Sequence, residues 1–310
     1  MNAHLLQHCA LLLALACLSG LPALGLLSHP GAHAAGVHLA TRDAQAPEGL
    51  KVFKAKQGDV LYLTLIADGT PSSVQGQFHN RLVPFFKTGR EGEFAALVGI
   101  DLADEPATAD LKAEITYSDG VQQQVYQVRV AAEEFRVQSM TLPKDQVEPD
   151  AATLRRINFE KEKVKSVFAA FTLERLWAQS FIVPVEGTIT HAFGSKRILN
   201  GQPRNQHSGE DISAPLGAPV RATNDGIVKM VEDHFFSGTS VILDHGLGLY
   251  TMYFHLDSAK VKKGARIERG QILGTVGQSG RATGPHLHWG AWLNGSRVNP
   301  FALAKLPLDR

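Results

Sequence analysis

Cysteine is nearly missing from this chain. Of 310 residues only Cys9 and Cys17 are cysteines, and both lie near the N-terminus. Beyond them no disulfide can staple the fold, and no thiolate can serve as nucleophile or metal ligand. Any metal there must rest on His, Asp or Glu. Runs of lysine or arginine are missing as well, and the formal net charge is +1, which argues against a nucleic-acid partner. No Gly-Lys-Ser/Thr follows the glycines at Gly277 to Gly284, so a phosphate-cradling P-loop is not expected.

What is present begins with a long apolar stretch. Cys9 to Leu27 is almost all Ala, Leu and Cys, and Ala32-His33-Ala34 follows as an A-x-A cleavage pattern. Residues 1–34 read as a secretory signal peptide, which makes the protein periplasmic or secreted, with no stable membrane span after cleavage. Met1 to His8 has histidines but no Lys or Arg. If the segment is retained, its length approaches the ~20 residues that cross a bilayer, and it becomes a membrane anchor.

The remainder is long enough for about two domains of ~150 residues each. Residues 35–142 read as a β-sandwich-like module. Val60 to Ile66 is a short run of strand formers, and Leu111–Tyr117 and Val121–Val130 are joined through Ser118-Asp119-Gly120 as a hairpin. Pro143 to Pro149 breaks this pattern. From Asp150, a natural N-cap, Leu154, Ile157, Val164, Phe168 and Phe171 recur with helical spacing. Residues 143–180 are therefore a linker and an amphipathic helix whose apolar stripe should pack on a neighbouring domain. From 181 to 304 glycines separate short strands, as in an antiparallel β domain. The fold class is thus mainly β.

Three segments of the last domain carry chemistry. They are His207-Ser208-Gly209-Glu210-Asp211, Tyr253-Phe254-His255-Leu256 and Thr283-Gly284-Pro285-His286-Leu287-His288-Trp289. A His-x-His pair on a strand puts both imidazoles on one face. By the same alternation Tyr253 and His255 share a face, the expected cleft, while Met252 and Phe254 share the other, the expected core. Other histidines, including His191, His234 and His245, read as satisfied polar residues.

The order and spacing of these segments resemble the lysostaphin-type zinc metallopeptidases, family M23. The flanks Phe193-Gly194, Ala214 to Val220, Asp244 to Gly248, Gly280 to Gly284 and Val298-Asn299-Pro300 match too. The resemblance covers residues 181–301 and implies the lysostaphin-type peptidase fold. It implies one Zn2+ held by His207, Asp211 and His288, with His255 and His286 as catalytic histidines. It also implies peptidoglycan as substrate, and the Gram-negative look of the flanks points to D-alanyl-diaminopimelate cross-links. The polar segment 195–206 is expected to line the substrate groove, with Asn200, Arg204 and Tyr253 as candidate substrate contacts. The N-terminal module is expected to bind a partner or cover the cleft. Two rival readings remain: a non-enzymatic activator of other wall hydrolases, and a secreted peptidase acting on glycine-rich peptides.

Overall fold

The computed structural model describes residues 51–308. The proposed signal peptide at 1–34, with its cleavage site, lies outside the described residues.

The N-terminal module is built from β1 (Val52–Lys56), β2 (Val60–Ile66), β3 (Ser73–Phe78), β4 (Arg81–Lys87), β5 (Glu93–Gly99), β6 (Thr108–Tyr117) and β7 (Gly120–Ala131). They form one seven-stranded sheet in the order β1-β7-β6-β3-β4-β5-β2, antiparallel except where β1 lies beside β7. The β6–β7 hairpin closes where the sequence places it, Tyr117 opposite Gly120. β4 changes partner midway: Arg81 to Pro84 pair with β3, and Phe85 to Lys87 with β5. Pro84, which has no N–H to give a ladder, stands at the change. The sheet so folded encloses Leu63, Phe78, Ile100, Ile115 and Val128.

The connection contributes β8 (Val137–Met140), α1 (Lys144–Val147) and α2 (Ala151–Ala169). Asp150 caps α2, its carboxylate accepting from the Thr153 N–H at 2.7 Å. The apolar stripe of α2, with Val164, Val167 and Phe168, packs on the C-terminal domain, where the Phe168 ring stacks on Trp292 at 4.7 Å. The chain after α2 is pinned to the next domain by Leu247 N–H to Thr172 O and Leu176 N–H to His245 O. Gly246 sits in the left-handed region (φ +83°), and a Cβ there would lie 1.7 Å from Glu174 O, so only glycine lets these segments meet.

The C-terminal domain contains β9 (Thr188–His191), β10 (Lys196–Leu199), β11 (Gln202–Pro203), β12 (Gly209–Ser213), β13 (Pro219–Arg221), β14 (Gly226–His234) and β15 (Gly238–Gly246). It continues with β16 (Leu249–Ala259), β17 (Arg266–Ile267), β18 (Ile272–Val276), β19 (His286–Leu293), β20 (Ser296–Val298) and α3 (Pro300–Ala304). Ten of these strands make one sheet, with a main path β17-β14-β15-β16-β19-β12-β9. One face of β16 and β19 buries Tyr253, Leu287 and Trp289 in the main core. The other face carries Tyr250 and Met252 toward α2.

The two sheets share a third core in which Val60 and Leu97 meet Trp177, Leu293 and Val298. Arg297 clamps Asp101 through its guanidinium at 2.6 and 3.2 Å and its N–H at 2.7 Å. β8, assigned by sequence to the N-terminal module, pairs instead with β10 of the C-terminal domain, in parallel.

Candidate active site

The site lies on the face of β12, β16 and β19 that looks away from the main core. Strand register brings it together: Asp211 is opposite His288, and His288 is opposite Phe254. His207 enters from the turn before β12. His207 Nε2 lies 2.8 Å from His288 Nδ1 and 3.0 Å from Asp211 Oδ1, and His288 Nδ1 lies 2.8 Å from the same oxygen. These three donor atoms lie within 4.8 Å of one another, and all three residues are buried. Gly209 makes the convergence possible, because a Cβ there would stand 2.6 Å from His288 Nε2 and 2.5 Å from Trp289 O.

The donor set fits a metal ion. His207 Nδ1 donates to Ala192 O at 3.2 Å, which leaves Nε2 as the lone-pair nitrogen facing the cluster. Burial pushes His207 down to about 4, against the neighbouring Asp211 carboxylate that would raise it, so the imidazole is neutral, the form that ligates. Burial alone would raise Asp211. The close imidazoles of His191, His207 and His288 outweigh it and hold the carboxyl far below the usual carboxylate range. Two imidazole nitrogens and one carboxylate oxygen are ligand types that zinc takes, with a fourth position left for water or substrate.

His286 and His255 flank this cluster. His286 Nδ1 donates to Gly284 O at 2.8 Å, and its Nε2 lies 3.8 Å from Asp211 Oδ1. His255 Nδ1 donates to Ser279 O at 2.8 Å, and its ring centroid lies 4.7 Å from that of His286. Both rings thus keep Nε2 as their basic nitrogen. Burial, then the neighbouring His286 and His288, push His255 down to about 3.

The five histidine and aspartate positions read from sequence therefore come together, but the strand alternation around His255 does not hold. Tyr253 is fully buried. Its hydroxyl is bonded to the Thr223 N–H at 3.0 Å and to the Thr251 hydroxyl at 2.9 Å, so it braces the core and does not line the cleft. Phe254, expected in the core, is on the site face and stacks on the His288 ring with planes 5° apart. His255 reaches the site because its backbone is left-handed (φ 62°), which interrupts the period of two beside an irregularity in the pairing with β15. Asn200 does not offer its amide to the cleft either: it accepts from Leu142 N–H and donates to Leu142 O, both at 2.9 Å. Arg204 donates to Val147 O at 3.1 Å.

Two neighbours of Asp211 escaped the sequence reading. His191 Nδ1 lies 3.0 Å and Arg197 Nη2 3.2 Å from Asp211 Oδ2, which holds the outer oxygen and presents Oδ1 to the cluster. Nothing in the sequence signals His191, since its place depends on the pairing of β9 with β12 across a register shift. A cavity of about 40 Å³ leads to the site, walled by Met140, Leu142, Arg281, Thr283 and His286 among others.

Known proteins share sequence with the part of the chain that carries this arrangement. Residues 205–300 match the family described as Peptidase family M23. The peptidoglycan DD-endopeptidase ShyA of Vibrio cholerae is 41% identical over 102 residues, 33% of this chain and 24% of that protein. ShyB of the same organism, also a peptidoglycan DD-endopeptidase, is 36% identical over 143 residues, 46% of this chain and 33% of that protein. The matches thus span at most a third of the length of these two relatives. A Pseudomonas aeruginosa structure assigned to peptidase M23 is 29% identical with a TM-score of 0.62, and covers 80% of this chain and 94% of that one. The likeness to that structure extends beyond the C-terminal domain into the N-terminal module. Residues 205–300 are therefore a domain of peptidase family M23, carried in a chain that is mainly β throughout the described residues.

Proposed function

We propose that the protein is an exported zinc endopeptidase that hydrolyses peptide cross-links of bacterial peptidoglycan, of the D-alanyl-diaminopimelate type. The observation that carries this reading is the convergence of His207 Nε2, Asp211 Oδ1 and His288 Nδ1, with two more histidines beside them whose basic nitrogens are free of the backbone bonds that orient them. The naming of ShyA and ShyB as peptidoglycan DD-endopeptidases supports the substrate class. Among the described residues no helix is long and apolar enough to cross a membrane.

A zinc ion held by these three side chains supplies Lewis acidity and makes water nucleophilic near neutral pH. The chain's own groups do the rest. Asp211, steadied by His191 and Arg197, keeps one oxygen aimed inward. His286 Nε2 accepts the proton of the attacking water, its ring fixed by the bond to Gly284 O. His255, carried on β16 with its ring centroid 4.7 Å from that of His286, would stabilise the developing oxyanion or pass a proton to the leaving amine once its Nε2 has taken up a proton. Phe254, flat against His288, keeps that ring from turning.

The test is digestion of purified sacculi by the full mature protein, with and without a zinc chelator, followed by separation of the released muropeptides. Chelator-sensitive loss of cross-linked species is expected. A folded, zinc-loaded protein that leaves the cross-links intact would refute the reading and favour an activator of other hydrolases.

A further inference from the structure

The segment between β7 and α2 lies across the site. β8 runs beside β10, Val137 opposite Lys196 and Met140 opposite Leu199, and Met140 and Leu142 line the cavity over His286. Asn200 grips both main-chain groups of Leu142. The segment then turns through α1, and the last carbonyls of that turn meet two guanidinium groups. Gln146 O accepts from Arg281 Nη1 at 3.2 Å, and Val147 O accepts from Arg204 Nη2 at 3.1 Å.

Positive charge is in excess here. Burial first, and then the nearby guanidinium groups of Arg197 and Arg204, push Arg281 down to about 10. Of the carboxylates nearby, Asp211 is engaged by Arg197, His191 and the ligand histidines. Glu148 is engaged by Gln202 and Lys144. Among the described residues no carboxylate is bonded to Arg204 or Arg281. Arg281 is also held in place, its guanidinium 4.1 Å over the Phe236 ring. A neutral carbonyl satisfies one N–H of a guanidinium but not its charge. A carboxylate satisfies both and matches the fork of donors.

We propose that Arg204 and Arg281 form a subsite for a carboxylate of the peptide substrate, and that the carbonyls of Gln146 and Val147 hold its place until substrate displaces them. The assignment rests on the reading of this site as a peptidase, and it adds the substrate feature that the site selects. An extended peptide taking the place of β8 along β10 would pair with the same strand edge, with its free carboxylate at the two arginines.

The experiment uses the full-length protein with His286→Ala, so that binding is measured without turnover. Calorimetric titrations compare N-acetyl-D-alanyl-D-alanine with its C-terminal amide, which differ only in the carboxylate. The acid should bind at least tenfold more tightly than the amide. Arg204→Gln with Arg281→Gln should bring the two within twofold, and Arg204→Lys with Arg281→Lys should keep part of the preference. Asn200→Ala, which loosens the covering segment, should tighten both peptides without changing their ratio. Equal binding of acid and amide, or no binding of either, in both the Asn200 and Asn200→Ala backgrounds overturns the subsite, as does a ratio indifferent to the two arginines. Acid preference without any cleavage of sacculi would instead refute the proposed reaction and leave the subsite standing.

Discussion

His286 Nε2 lies 3.8 Å from Asp211 Oδ1, too far for a hydrogen bond and close enough to share a small molecule between them. His288, two residues on, places Nδ1 2.8 Å from the same oxygen. The two histidines of one strand face therefore differ in kind. His288→Ala should lose both zinc and activity. His286→Ala should keep zinc, measured by metal analysis of the purified protein, and lose activity by about 10²-fold or more, the usual worth of a positioned base. Equal loss of zinc from both would contradict the division.

Gly209 is the residue of the His-x-Gly-x-Asp segment that touches no ligand atom chemically yet decides where one can sit. Gly209→Ala places a methyl 2.6 Å from His288 Nε2 and 2.5 Å from the Trp289 carbonyl. The β12–β19 pair must separate or His288 must turn. A loss of about 1–3 kcal/mol is expected from such overpacking, together with weaker zinc binding. Thermal unfolding and a competition titration with a metal indicator would show both. A variant with unchanged zinc affinity would mean that His288 can relax without leaving the cluster.

The sequence made the ligand set legible because those residues sit in short segments whose internal spacing does not depend on the rest of the fold. Asp211 and His288 needed only to be on neighbouring strands. What it hid depends on backbone conformation or long-range pairing. The left-handed φ of His255 brings its ring to the face that carries Phe254 and not to that of Tyr253, and a period-2 reading has no means of seeing a single residue out of the β region. His191 and Arg197 reach Asp211 only through the pairing of β9 and the course of β10. The covering segment is the clearest case: the turn at Pro143 to Pro149 is readable as a break in strand pattern, but the segment's contacts with Asn200, Arg204 and Arg281 span 57 to 135 residues of chain.

For Asn200, a substrate contact and a hold on the covering segment predict opposite effects of substitution. If its amide served substrate, Asn200→Ala would slow cleavage. Its amide instead holds Leu142 over the cavity, and two hydrogen bonds worth about 1 kcal/mol each keep that segment down. Asn200→Ala should therefore raise the rate of muropeptide release severalfold. A fall in rate, with stability unchanged, would return Asn200 to the substrate groove.

Asp101 joins the two sheets through Arg297 and is itself buried. Removing its charge leaves the guanidinium, about a third exposed, without its partner. Because the pair is partly screened by solvent, Asp101→Asn should cost about 2 kcal/mol, below the range for a fully buried pair. The shared core of Val60, Leu97, Trp177 and Leu293 predicts that unfolding stays a single transition in calorimetry. Two separated transitions would show that the modules hold together less tightly than their contacts imply.

His245 provides a measurable acid response. It is fully buried, with Nδ1 donating to Asp225 O at 2.6 Å and Nε2 accepting from the Thr251 hydroxyl at 2.7 Å. Burial pushes it down to about 4, against bonds and charges that would raise it. Its unfolded value is near 6.5. Between those two pH values the unfolded chain binds a proton that the folded chain refuses, so stability falls as pH drops from about 6.5 toward 4 and is fully retained above 6.5. The whole difference amounts to about 3 kcal/mol. His207 and His255, also pushed down by burial, add to the same slope, so the test is a difference between proteins. His245→Gln should be less stable at pH 7.5 yet lose less on acidification, its denaturation free energy falling by up to about 1.4 kcal/mol less per pH unit within that window. Parallel pH profiles for the two proteins would show that His245 takes up its proton in the folded state, at the expense of its bond from Thr251.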